Sequence, residues 1–226
     1  MKIAVRGGHC PKITGASALI DELKEDRLIK DVVIKYLNQL GHTVLDVTPP
    51  DSTSGSSADL SYGVNKANNW GADLFVSIHF NNAYSTYNGA LGTEVCVYSE
   101  NDVAGRVVSQ LASLGFRNRG QKVRTGLYEL KNTKMKSMII EVCFVEATED
   151  VALYKKLGPD TIGKTIAEAI ANKKVVEAPT QASNIQGETY YRVVAGSYKD
   201  RENAEERKRQ LEAKGFTGVF LEAIKK

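Results

Sequence analysis

Five short apolar runs alternate with longer amphipathic stretches across residues 1–173. The runs are Lys2 to Val5, Thr43 to Val47, Asp73 to Ile78, Thr93 to Tyr98 and Met138 to Val145. Runs this short, bounded by polar turns, read as strands buried on both faces of a parallel sheet. Between the first two, Ile29, Val32, Val33, Tyr36, Leu37 and Leu40 recur at helical spacing. They predict a helix from Glu22 to Leu40, stopped by Gly41 in the C′ position. Further helices are predicted over 58–70, 103–114, 148–156 and 160–172. Elements alternating in this way define an α/β layered fold, a mostly parallel sheet flanked by helices.

Periodicity is lost over residues 174–188, which mix Pro, Ser, Asn and Gly and read as a linker. A small βαβ module follows over 189–226, with strands predicted at 190–195 and 216–223 around a charged helix at 201–214. The chain thus divides into a domain over 1–173, the linker, and this module. A module of that size is marginal for folding by itself.

Composition narrows the choices. The 226 residues are 42% hydrophobic and 25% charged, ordinary for a globular protein with a sizeable core. A net charge of +3 is too mild to argue for nucleic acid. No stretch approaches the ~18 apolar residues of a membrane helix, which argues against membrane insertion. The first residues are too short an apolar run for a signal peptide, so synthesis in the cytoplasm is expected. Cys10, Cys96 and Cys143 are an odd set without a C-x-x-C pair, which argues against a disulfide framework. Cys10 and Cys143 lie near the polar residues discussed next, but a buried structural cysteine is the commoner case.

Glu141 interrupts the apolar run Met138 to Val145. A carboxylate there is costly unless a cation or hydrogen bonds compensate it. His9 follows the first strand, and His79 ends the third. In an α/β sheet, ligand sites lie beyond the carboxyl ends of the strands. The crossover helix begins at that edge, so Glu22, which opens it, falls on the same side. Glu25 and Asp26 are rivals to Glu22 by composition. His42 precedes a strand and belongs at the opposite edge. Two imidazoles and a carboxylate are a common catalytic zinc set, with a fourth position left for water. Glu141 then suits a general base that takes a proton from water and passes it to a leaving amine. Each residue also has an ordinary reading: a loop or strand-end histidine, or a first-turn acid that complements the helix dipole.

These residues carry a resemblance. Gly7-Gly8-His9, Glu22, Ser77-Ile78-His79-Phe80-Asn81 and Ile139-Ile140-Glu141-Val142-Cys143-Phe144-Val145 stand in order at suitable separations. Over residues 1–173 the chain resembles the zinc-dependent N-acetylmuramoyl-L-alanine amidases of the amidase-3 type, used by phage endolysins and bacterial autolysins. The resemblance implies His9, Glu22 and His79 as ligands of one Zn2+ and Glu141 as the catalytic glutamate. It also implies peptidoglycan as substrate, cut after release from the cytoplasm. Residues 191–220 resemble one half of a sporulation-related repeat (SPOR) domain, which binds septal peptidoglycan. Since a full domain has two such halves, homodimerisation through 189–226 is expected. Two other classes compete: a wall-binding module with an inactive site, and a nucleotide-binding protein. The spare carboxylate Glu141 argues against the first. Gly7-Gly8 lacks the spaced glycines required by the second.

Overall fold

The computed structural model describes residues 1–176, 195–217 and 219–221. The chain divides into two compact units, Met1–Glu177 and Ala178–Lys226. The first unit holds β1 (Lys2–Gly7), α1 (Glu22–Gln39), β2 (Thr43–Asp46), α2 (Ser56–Trp70), β3 (Leu74–Asn81) and β4 (Thr93–Val97). It continues through α3 (Asp102–Ser113), β5 (Asn118–Val123), α4 (Tyr128–Asn132), β6 (Lys136–Phe144) and α5 (Thr148–Ala171).

The six strands form one sheet in the order β2-β1-β3-β6-β4-β5. All neighbours are parallel except β4 and β6, which run antiparallel. The mostly parallel layered sheet predicted from periodicity is therefore the fold. Alternate residues of each strand serve the two faces. Ile3, Val5, Val76, Ile78, Met138 and Ile140 meet buried residues of α1, α3 and α5 on one face. Ala4 and Phe75 meet Ala67 of α2 on the other.

Asp21 caps α1, its carboxylate accepting from the Lys24 backbone N–H at 3.0 Å. Gly41 at φ +86° follows the end of the helix, as its position in the sequence predicts. The helices predicted over 148–156 and 160–172 are one element, α5, kinked at Gly158 before Pro159. Two elements were not expected. β5 is a polar edge strand, Asn-Arg-Gly-Gln-Lys-Val, with no apolar alternation to announce it. α4 is a single short turn-like helix, too brief for a periodic signal.

In the second unit, α6 (Arg201–Ala213) matches the predicted charged helix. The strand expected at 190–195 lies outside the described residues except for Ala195. Of the strand expected at 216–223, the described residues 216, 217 and 219–221 are not in a strand. Among the described residues, no helix is long and apolar enough to cross a membrane.

Candidate metal centre

The carboxyl ends of β1 and β3 carry the two histidines. The backbone N–H of Gly8 donates to the Ile78 carbonyl at 2.8 Å, continuing the β1–β3 ladder past the end of β1. His9 then turns at φ +59°, a conformation uncommon outside glycine. The Arg27 guanidinium holds this turn by donating to the His9 carbonyl at 2.8 Å. His79 sits in β3, opposite Glu141 of β6. The imidazoles of His9 and His79 meet edge to face, with centroids 4.9 Å apart.

Glu22 stands between them. Its Oε1 lies 3.1 Å from His9 Nε2 and 3.1 Å from His79 Nδ1. The same oxygen accepts from the Phe80 backbone N–H at 3.1 Å, and Oε2 accepts from that of Ala16 at 2.6 Å. Burial works against the charge of Glu22, but its bonds to His79 and His9 outweigh that. Its carboxyl is held well below the ordinary carboxylate range. His79 is oriented from behind, with Nε2 3.0 Å from the Ser77 hydroxyl.

Asp26 joins the group one helical turn after Glu22. One donor atom from each of His9, Glu22, Asp26 and His79 can be chosen so that all lie within 4.8 Å of one another. Asp26 is fully buried, and neither carboxylate oxygen has a hydrogen-bond partner among the described residues. Burial, and after it the charges of Glu22 and Glu141, push its carboxyl well above the ordinary range. Glu141 is partly exposed as a residue, yet its Oε2 is buried without a partner. Burial, then Glu22 and Glu94, push the Glu141 carboxyl up to about 8.

Two glycines leave room in the cluster. A Cβ at Gly15 would collide with Glu22 Oε2 and come within 2.6 Å of His9 Nε2. A Cβ at Gly8 would lie 2.6 Å from His79 Nδ1 and 2.7 Å from Asp26 Oδ2. Glycines where only a side chain's absence lets the backbone approach, convergent imidazoles and uncompensated carboxylates together fit a divalent cation.

The structure thus brings His9, Glu22 and His79 together and sets Glu141 beside His79. His42 lies elsewhere, its Nδ1 3.5 Å from the amino terminus. Glu25 turns away to accept from the Tyr154 hydroxyl at 2.5 Å. The cysteines are buried and free. Burial pushes the Cys96 thiol up to about 12 and the Cys143 thiol well above its ordinary value. Four polar residues were given no role from the sequence: Arg27, which holds the His9 turn, and Ser77, Glu94 and Arg119. Ser77 backs His79, and its i to i+2 spacing in a strand was the available signal. Glu94 faces Glu141 across β4–β6 and accepts from Arg119 Nε at 2.6 Å and Asn81 Nδ2 at 3.2 Å. Arg119 lies on β5, so this pair had no signal before the strand order was known.

Fold and cluster define an α/β protein with the donor set of a metal-dependent hydrolase at the carboxyl edge of its sheet. A family model described as N-acetylmuramoyl-L-alanine amidase (Amidase_3) matches residues 3–172, and the chain belongs to that family. A SPOR domain model matches residues 164–222. The chain is 49% identical over 182 residues to the uncharacterized protein CPE1502 of Clostridium perfringens, covering 78% of this chain and 53% of that one. It spans about half the length of this relative and of a second from the same species. It is 30% identical over 230 residues to the N-acetylmuramoyl-L-alanine amidase CwlM of Bacillus licheniformis, covering 98% of this chain and 85% of that one. Among solved structures it resembles the catalytic domain of the CD27L endolysin targeting Clostridia difficile. There the TM-score is 0.70 at 29% identity, covering 78% of this chain and 99% of that one.

Proposed function

We propose that the chain hydrolyses the amide between N-acetylmuramic acid and L-alanine in peptidoglycan, using one Zn2+ held by His9, Glu22 and His79. The observation that carries this reading is the convergence of His9 Nε2 and His79 Nδ1 on one oxygen of Glu22, each at 3.1 Å. Zinc, when bound, would supply Lewis-acid activation of water and of the substrate carbonyl. Glu141 is the general base. It stands in register with His79, so it borders the place where the scissile amide must lie. In the metal-free protein, burial and the charges of Glu22 and Glu94 favour the protonated carboxyl. A cation bound beside it would favour the carboxylate, which can take a proton from the attacking water and pass it to the leaving amine of L-alanine. Ser77 orients His79, and Arg27 fixes the His9 turn.

Chain organisation follows the same reading: a catalytic domain over 1–173, a linker over 174–188 and a wall-binding module over 189–226. The module binds peptidoglycan glycan, and two chains pair through it. In support, a SPOR domain model matches this end of the chain, and no residue of α6 is buried. Sedimentation of the full chain against one ending at residue 176 tests the pairing. A dimer that survives the truncation, or a full chain that stays monomeric, argues against it. The biological role is lysis of the bacterial wall after release, as a phage endolysin or a mother-cell autolysin.

Purified cell walls, digested with and without a zinc chelator, test the activity. New L-alanine amino termini that vanish with chelator, without new reducing sugar ends, are expected. Release of neither, with wall binding intact, would replace the enzyme by a binding protein.

A further inference from the structure

We propose that Asp26 is a fourth protein donor to the ion, making a centre of two imidazoles and two carboxylates. This rests on the reading of His9, Glu22 and His79 as ligands. Asp26 is 0% exposed, and among the described residues neither of its oxygens has a hydrogen-bond partner. A buried carboxylate without hydrogen bonds or a counter-ion is strongly unfavourable. Neighbouring cations are engaged elsewhere. Arg27 donates to the His9 carbonyl, and Arg6 is bound to Asp59 and Glu129.

Geometry points the same way. Residues four apart on a helix share a face, so Asp26 stands one turn above Glu22 at the start of α1. Nothing separates Asp26 from His79 on the β1 side. The intervening position is Gly8, where a Cβ would lie 2.7 Å from Asp26 Oδ2 and 2.6 Å from His79 Nδ1. Any side chain there would fill the space that an ion needs. Charge agrees too: Glu22 alone leaves a divalent ion with a net positive charge, and Asp26 completes its neutralisation.

The consequence is chemical. Three donors plus water make four-coordinate zinc, whereas four donors plus water make a five-coordinate centre. The second carboxylate also makes the site more hospitable to Mn2+ and Co2+. Glu141 is left outside the ligand set, free for proton transfer.

The test uses the full chain with Zn2+ and Co2+ alone. Zn2+ affinity of the wild type and Asp26→Asn is measured by competition with a chromophoric chelator. A loss of at least about tenfold is expected. In the metal-free state Asp26→Asn should melt at or above the wild type, because a buried carboxyl without a hydrogen-bond partner has gone. A purely structural Asp26 would lower melting with and without metal. Equal Zn2+ affinity in the two proteins overturns the inference while leaving the three-ligand site intact. If Asp26→Asn does not fold, Co2+-loaded wild type decides. The weak visible absorption of a five-coordinate ion supports Asp26 as a donor, and the intense absorption of a four-coordinate ion overturns it. A wild type that binds neither metal overturns the three-ligand reading and this inference together.

Discussion

Two buried charge clusters adjoin at the carboxyl ends of β1 and β3. In the first, Arg6 is fully buried beneath α2 and α4, 3.0 Å from Asp59 and 2.8 Å from Glu129. Its guanidinium also donates to the Asp59 and Gly7 carbonyls at 3.1 Å each. Arg6 is the register partner of Ser77, and the next outward residue on that face of β3 is His79. In the second cluster, His9, Glu22, Asp26, His79 and Glu141 gather, among the described residues, without any such internal cation, and three carboxylate oxygens of Asp26 and Glu141 lack a hydrogen-bond partner. Asp59 Oδ1 and Glu129 Oε1 of the first cluster lack one too, but both residues are ion-paired to Arg6. Neighbouring strands thus carry a solved electrostatic problem and an open one. The first cluster brings its own counter-ion and can hold the fold together. The second is stable as a set of charges only if a cation enters from outside, and that dependence links it to function.

Substitutions can break this contrast, beginning with the largest expected effect. Glu141→Ala should lower amidase activity by about 10²- to 10⁴-fold. Its zinc content should stay at the wild-type level by elemental analysis, whereas His79→Ala should lose both. An active Glu141→Ala protein would remove Glu141 from the mechanism.

Arg6→Met leaves Asp59 and Glu129 buried without their cation. It should cost about 3–5 kcal/mol in denaturant unfolding, equally with metal and with chelator. A loss seen only in the metal-loaded protein would merge the two clusters into one.

Metal-free protein should also show the open problem through pH. The folded-state carboxyl of Glu141 lies near 8 against an ordinary value of 4.5, so folding favours its protonated form. That contribution is fully present below about pH 4.5 and is lost as pH rises through about 8. Glu141→Gln should therefore flatten the pH dependence of melting and melt above the wild type at the alkaline end, by an amount on the order of 2 kcal/mol. Identical profiles would mean that Glu141 ionises freely in the fold.

The smallest effect is expected at the join between the clusters. Ser77→Ala removes the hydroxyl behind His79 Nε2 and should weaken Zn2+ about tenfold, with no change in metal-free melting. Unchanged affinity would show that packing alone orients His79.

Much of this was legible in the chain itself. The strand runs, the helix from Glu22 to its stop at Gly41, and the placement of His9, Glu22 and His79 at one edge all follow from periodicity and crossover topology. His42 is excluded by the same argument and does lie apart. β5 and α4 were not legible, because a polar edge strand and a five-residue helix have no apolar period to read.

The sequence by itself determined the layered fold and the edge at which polar residues collect, since hydrophobic burial follows a local period and local caps end each helix. Only the tertiary structure decided which acid of the first helical turns faces the histidines. Glu22 and Asp26 turn toward them, and Glu25 toward Tyr154 of α5. It alone decided, too, that Asp59 and Glu129 receive a cation from Arg6 while, among the described residues, Asp26 and Glu141 are ion-paired to none. Charge compensation depends on distances between residues far apart in sequence, and no local pattern encodes those distances.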